Sequence, residues 1–152
     1  MMRDMARAYE GVIMNNIEKV KVDVAKVNEL LDDFYIKDTD YYFEGDLTGG
    51  NCLEFNKQDH KIVADFKLPY ALGDYFDVFD TVADFVADLT KTIEEIDVDE
   101  IAKENCYDLL NEAENYDTVD FPSFDKEVAE VTDIKCQLLK FCKELNSVVK
   151  TL

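Results

Sequence analysis

The chain has 152 residues, with 35 acidic and 16 basic side chains, one His, four Cys and no Trp. A formal net charge of -19 and a pI near 4.2 exclude the usual electrostatics of a direct nucleic-acid binder, whose phosphate contacts need Lys and Arg, and of a protein drawn to an anionic membrane. A hydrophobic fraction of 47% with 12% aromatic residues excludes wholesale disorder, and no run approaches the roughly 18 apolar residues of a spanning helix.

The first long segment places Ile13, Ile17, Val20, Val24, Val27, Leu31 and Phe34 at alternating steps of four and three. That seam predicts one amphipathic helix over residues 3–36. A β-type stretch follows, with Tyr41 to Leu47, Asn51 to Asn56 and Lys61 to Leu68 reading as strands. Thr48-Gly49-Gly50-Asn51 and Lys57-Gln58-Asp59-His60 supply turn chemistry between them, and Pro69 closes the stretch. An antiparallel meander over residues 40–68 is the expectation.

Tyr75, Phe79, Val82, Val86, Leu89, Ile93 and Ile96 form a second four–three seam, predicting a helix over 74–96. Asp97 with Glu100 three residues on is a helix-start signature. Val98, Ala102, Cys106, Leu109, Ala113 and Tyr116 line one face of the helix that follows, 98–116. Ser123 is a good N-cap for a last helix over 123–151, with Val131, Ile134, Leu138, Phe141, Leu145, Val148 and Leu152 as its seam. The expected fold class is α+β: a long N-terminal helix, a small three-stranded antiparallel sheet, then three helices, in a single domain 1–152. The seams also permit coiled-coil pairing, so a homodimer is compatible with the pattern.

The cysteines at 52, 106, 136 and 142 have no CxxC spacing, so they read as reduced core residues rather than metal ligands. The opening sixteen residues, MMRDMARAYEGVIMNN, lack the continuous apolar region of a signal peptide, and a cytoplasmic location is expected.

Catalytic constellations are poorly supported. The serines are Ser123, a cap candidate, and Ser147 on the last helix; the single histidine, His60, sits in a predicted hairpin turn. Gly49-Gly50 lacks the Lys-Ser/Thr of a phosphate-binding loop. Asp38-Thr39-Asp40 begins like a calcium loop, but Tyr42 stands where a ligand is needed and Phe43 where glycine is needed. No enzyme activity, cofactor or metal is expected. Tyr41, Tyr70 and Tyr116 read as core residues or as anchors for a partner, since tyrosine is enriched at interface hot spots.

Charge distribution says more than total charge. Residues 74–130 hold 19 acids against 3 bases, net -16, whereas residues 131–152 are net +2. On a helical wheel at about 100° per residue, Asp77, Asp80, Asp84, Asp88 and Glu95 fall opposite the apolar seam. The next helix repeats the pattern with Asp97, Glu100, Glu104, Asp108 and Glu112. Like charges at i,i+4 destabilise a helix by a few tenths of a kcal/mol per pair, and only Lys91 and Lys103 relieve them. Solubility is one reading of this cost. The other is imitation of a nucleic-acid backbone, with carboxylates roughly 4.5 to 6 Å apart along each axis standing for phosphates.

In size, acidity and the ridges of residues 74–130, the chain resembles the acidic nucleic-acid-mimic inhibitors of phages and mobile elements, of the anti-CRISPR and anti-restriction kinds. Such proteins share chemistry rather than a motif. The resemblance implies a non-enzymatic protein of a bacterial host's cytoplasm that blocks the basic groove of a nuclease or CRISPR effector, without itself binding nucleic acid or membrane. The ten acids named above are the expected partner-binding residues. An immunity protein or antitoxin against a nuclease toxin, or a structural assembly protein, would also fit the pattern.

Overall fold

A computed structural model describes residues 2–36, 41–45, 51–113 and 123–152, and their side chains except at 2–15, 71 and 108–113. The fold is α+β: helix α1 (Met2–Asp33), strands β1 (Glu44–Gly45), β2 (Leu53–Asn56), β3 (Lys61–Lys67) and β4 (Asp74–Phe79), then helices α2 (Val82–Glu94), α3 (Val98–Ala113) and α4 (Phe124–Val149). These elements form two compact units, Met1–Ala87 with Leu145–Leu152, and Asp88–Glu144.

In the first unit, the α1 seam buries Val24, Val27 and Leu31. The helix ends at Asp33, three residues earlier than the periodicity predicts. Tyr35 bridges to Tyr42, and the Ile36 N–H donates to the Tyr41 carbonyl at 2.8 Å. Phe34, the last residue of the seam, therefore falls just outside the helix.

The sheet is built around β3. Along one edge β3 pairs antiparallel with β4 from Ile62↔Phe79 to Lys67↔Asp74. Its other edge is shared by β2, from Leu53↔Ala64 to Asn56↔Lys61, and β1, at Glu44↔Lys67 and Gly45↔Phe66. β1 and β2 are therefore two pieces of one interrupted edge strand, rather than the first two strands of a meander. The β2–β3 hairpin turns through Lys57–His60 as expected. There the Asn56 side-chain oxygen accepts from the Gln58 and Asp59 N–H groups at 2.9 and 3.3 Å, an Asx turn. The glycine turn at 48–50 lies outside the described residues.

The main correction concerns residues 74–81. Asp74–Phe79 is a strand, not the first turns of a helix. Tyr75 and Phe79 fit a helical seam, but they also fit the two-residue period of a strand, and Tyr-Phe-Asp-Val-Phe is rich in aromatic and β-branched residues that suit a pleated surface. Pro69 does not close the sheet. It opens a 3-10 turn, Pro69–Ala71, and the chain reverses through Gly73 at φ +121°, a backbone conformation only glycine adopts without strain. α2 then starts at its own cap, where Thr81 Oγ1 accepts from the Asp84 N–H at 3.1 Å.

The inner face of the sheet carries Leu53, Ile62, Ala64, Phe66 and Tyr75, all buried. Phe66 is at the centre of an aromatic cluster, with ring centroids 5.3 Å from Phe43, 5.0 Å from Tyr75 and 6.1 Å from Phe85. The α1–β2 join is polar: the Asn28 side chain, 7% exposed, donates to the Leu53 carbonyl and accepts from the Leu53 N–H, both at 2.8 Å.

In the second unit, Leu89, Ile93, Ala102, Val131, Ile134, Leu138 and Phe141 are buried, as the seams predict, and so is Cys142. Asp97 Oδ1 caps α3 by accepting from the Glu100 N–H at 3.2 Å, and Ser123 Oγ caps α4 through the Lys126 N–H at 3.3 Å. Lys135 Nζ donates to the carbonyls of Glu94 and Ile96 at 3.0 and 2.9 Å, placing a cation on the exposed carbonyls at the end of α2. No helix among the described residues is long and apolar enough to cross a membrane.

The thiols are all free. Cys52 and Cys142 are buried as expected, but Cys136 is exposed, on the outward side of α4. Burial, with the nearby Asp32 carboxylate, pushes the Cys52 thiol from 9.0 up to about 12. Unfolded, the same thiol titrates near 9.0, so below that pH both states hold the proton. Between pH 9 and about 12 only the unfolded state loses it, and stability falls by roughly 1.4 kcal/mol per pH unit from this group. Urea unfolding at pH 8, 9.5 and 10.5 should show a steeper alkaline loss for the native chain than for Cys52→Ala; equal slopes would refute the assignment.

Candidate functional site

The ten acids expected to bind a partner do not form two helical ridges. Asp77 is on β4 and Asp80 in the turn before α2, so only Asp84 and Asp88 lie on α2, with Glu95 just past its end. Asp97 is the cap of α3, and Glu100 and Glu104 follow on that helix one turn apart. Asp108 and Glu112 belong to α3, but their side chains lie outside the described residues. The acids also divide between the units, Asp77, Asp80 and Asp84 in the first and Asp88, Glu95, Asp97, Glu100 and Glu104 in the second.

Local roles separate these carboxylates further. Asp80 forms an ion pair with Lys61, and Glu95 pairs with Lys91 at 4.0 Å. Asp97 spends an oxygen on its cap, and Asp88 is half-buried. Asp77 uses Oδ1 to accept from the Val78 N–H at 2.8 Å. Asp84 and Glu100 sit in first helical turns, where a negative charge offsets the positive end of the helix dipole by typically 0.3–1 kcal/mol. Part of the acidity therefore stabilises helix starts. Asp77, Asp84, Glu100 and Glu104 remain exposed and make no ion pair among the described residues.

Sequence reasoning missed the apolar surface beside the first of these acids. Phe76 is 67% exposed and Val78 44%. Cross-strand pairing puts Val78 opposite Val63 and Phe76 opposite Asp65 on the outer face of the sheet. A helical reading of 74–79 hid this pair, whereas strand alternation would have placed Phe76 and Val78 opposite the buried Tyr75.

A surface groove of about 480 Å³ has Tyr41, Tyr42 and Tyr70 on its walls, with Glu44, Lys67 and Asp74 among its polar lining. Tyr41 and Tyr70 meet edge-to-face at 5.0 Å, so part of their apolar surface is spent on each other. Tyr116 lies outside the described residues. His60 is an exposed turn residue at φ +53°, its ring stacked 6.2 Å from Phe55. Among the described residues no group of three or more His, Cys, Asp or Glu side chains is arranged to hold a metal ion.

Comparison of the chain with family models, with curated proteins and with solved structures finds no match in any of the three.

Proposed function

We propose that the protein is a non-enzymatic acidic inhibitor that occupies the positively charged nucleic-acid groove of a nuclease or CRISPR effector. The observation that carries this reading is the set of exposed carboxylates, Asp77, Asp84, Glu100 and Glu104, that make no ion pair among the described residues, in a stretch of the chain with 19 acids and 3 bases. Like charge one helical turn apart, as at Glu100 and Glu104, destabilises the fold slightly. A basic groove relieves that repulsion on binding, and long-range attraction steers the encounter. The partner is thus a basic nucleic-acid-binding protein in a bacterial cytoplasm.

The test is inhibition of DNA cleavage by a panel of bacterial restriction nucleases and CRISPR effectors. The combined variant Asp77→Asn, Asp84→Asn, Glu100→Gln, Glu104→Gln keeps the shape of every side chain and retains an oxygen for the Val78 N–H. Asp80 and Asp88 are left intact, because the first holds Lys61 and the second is half-buried. The native chain should inhibit at least one member of the panel, and the variant should do so at least tenfold more weakly while losing no more than about 2 kcal/mol of stability, the contribution of two charges at helix starts. Equal inhibition by both would remove these acids from the interface.

A further inference from the structure

We infer that the outer edge of β4 is a docking site for an extended basic segment of the partner protein, which adds to the sheet as a further strand. The inference rests on the inhibitor reading for the partner's charge and deepens it by naming the element the partner supplies.

Hydrogen-bond phase fixes which groups are on offer. The Leu68 N–H donates to the Gly73 carbonyl at 2.9 Å, so 68/73 is a bonded pair of the β3–β4 hairpin. Bonded and non-bonded pairs alternate in an antiparallel ladder. Tyr75, Asp77 and Phe79 therefore turn their N–H and C=O toward β3, and Asp74, Phe76 and Val78 turn theirs away. β4 pairs only with β3 among the described strands. Of the outward groups, the Val78 N–H is taken by Asp77 Oδ1. The N–H and C=O of Phe76 form the pair that an incoming strand uses.

The opposite edge of the sheet is managed differently. There Asn28 presents an amide to both the N–H and the C=O of Leu53, which is the hydrogen-bonding pattern of a neighbouring strand. That edge is blunted by a side chain, whereas β4 has an exposed Phe76 and Val78 beside backbone groups that no other described strand pairs. Exposed, hydrophobic edge strands are templates for pairing.

Charge selects the occupant. Residues 74–84 contain four aspartates and no Lys or Arg. Antiparallel pairing of two β4 edges through Phe76 would set Asp77 of each copy on the diagonal from the other's and bring two acidic edges together, which is destabilising. An incoming strand that alternates basic and apolar residues meets both demands. Its apolar residues extend the patch of Phe76 and Val78 on the outer face, and its basic residues lie on the other face with Asp77. Main-chain hydrogen bonds then give affinity and the side-chain alternation gives specificity, as in other strand-addition complexes.

The probe is a capped heptapeptide alternating Arg and Val, titrated against the full chain at 150 mM NaCl by fluorescence anisotropy. Three comparisons accompany it: the same peptide with alternate amides N-methylated, a peptide of the same composition with its arginines in one block, and the protein variant Phe76→Pro. Proline at 76 removes an outward N–H and no ladder bond to β3, so the sheet tolerates it on this edge. Strand addition predicts that N-methylation, blocking of the sequence and Phe76→Pro each weaken binding at least tenfold, and that the Phe76 amide becomes protected from hydrogen exchange when peptide binds. The methylated peptide keeps the comparison decisive if the proline variant misfolds. Equal affinity for all forms would mean attraction by charge alone and overturn the inference, as would no binding at all, or a homodimer closed through β4. Inhibition that survives such a failure, and is still lost on neutralising the four acids, leaves the inhibitor reading standing without this edge.

Discussion

Phe66→Ala is expected to cost about 3–5 kcal/mol of folding stability, the range for truncating a fully buried phenylalanine. Phe66 is 0% exposed on the central strand, and rings from three other elements or loops close on it: Phe43, Tyr75 and Phe85. The cavity has no flexible neighbour to fill it, because Tyr75 and Phe85 are themselves held at 6.0 Å edge-to-face. A loss of that size is a large part of the roughly 5–15 kcal/mol available to a domain. Phe66→Leu, which keeps much of the volume, should lose markedly less. Urea unfolding of the two variants against the native chain measures both values. A loss under about 1 kcal/mol for alanine would mean that the cluster is not the organising core of the first unit.

Asn28→Ala is the second large effect, expected at about 2–4 kcal/mol. Each of the two hydrogen bonds is buried, and removing the amide leaves the Leu53 N–H and C=O desolvated and unpaired, at about 1–3 kcal/mol per group. Asn28→Asp separates this account from simple loss of volume. A carboxylate accepts from the Leu53 N–H but opposes the Leu53 carbonyl, so Asp should rescue little despite its matching shape. Hydrogen exchange at the Leu53 amide reads the same contact locally. Protection there should collapse in Asn28→Ala before the Phe66 amide is affected. Stability of the aspartate variant within about 0.5 kcal/mol of the native chain would contradict the bidentate role.

Much of this fold was legible in the sequence, and the errors have identifiable causes. Long seams such as Val24-Val27-Leu31 and Val131-Ile134-Leu138 repeat for several turns, and both are buried as read. Caps at Asp97 and Ser123 were correctly placed because side-chain oxygens that bond N–H groups two or three residues on are a local signal. Tyr75 and Phe79 misled because a four-residue step satisfies both a helical turn and two strand repeats. Length alone separates the two, and six residues is too short to do so. Thr81 with Asp84, a second cap signature, would have moved the helix start to Val82.

Non-local facts were out of reach. Nothing near Asn28 announces that its amide will face Leu53, 25 residues on. Similarly, the share of β3's edge between β1 and β2 depends on pairing rather than on either strand's residues. The candidate site was legible as chemistry and not as geometry. The excess of acids over residues 74–130 is a property of the sequence, but their local roles are set by the fold. Asp80 holds Lys61, Asp97 caps a helix, and Asp77 bonds the edge of a strand. The regular ridges dissolve once β4 takes Asp77 out of helical phase, and what remains is a smaller set of exposed carboxylates, Asp77 and Asp84 in the first unit and Glu100 and Glu104 in the second.

The most direct test of the central claim is affinity capture from a bacterial lysate rich in nucleases and CRISPR effectors, eluted along a salt gradient and challenged with competing duplex DNA or guide RNA. The account predicts retention of a basic nucleic-acid-processing protein that is released by salt, because the attraction is electrostatic, and displaced by nucleic acid, because both occupy one groove. Retained partners that withstand both salt and nucleic acid, or no retained basic protein at all, would contradict it.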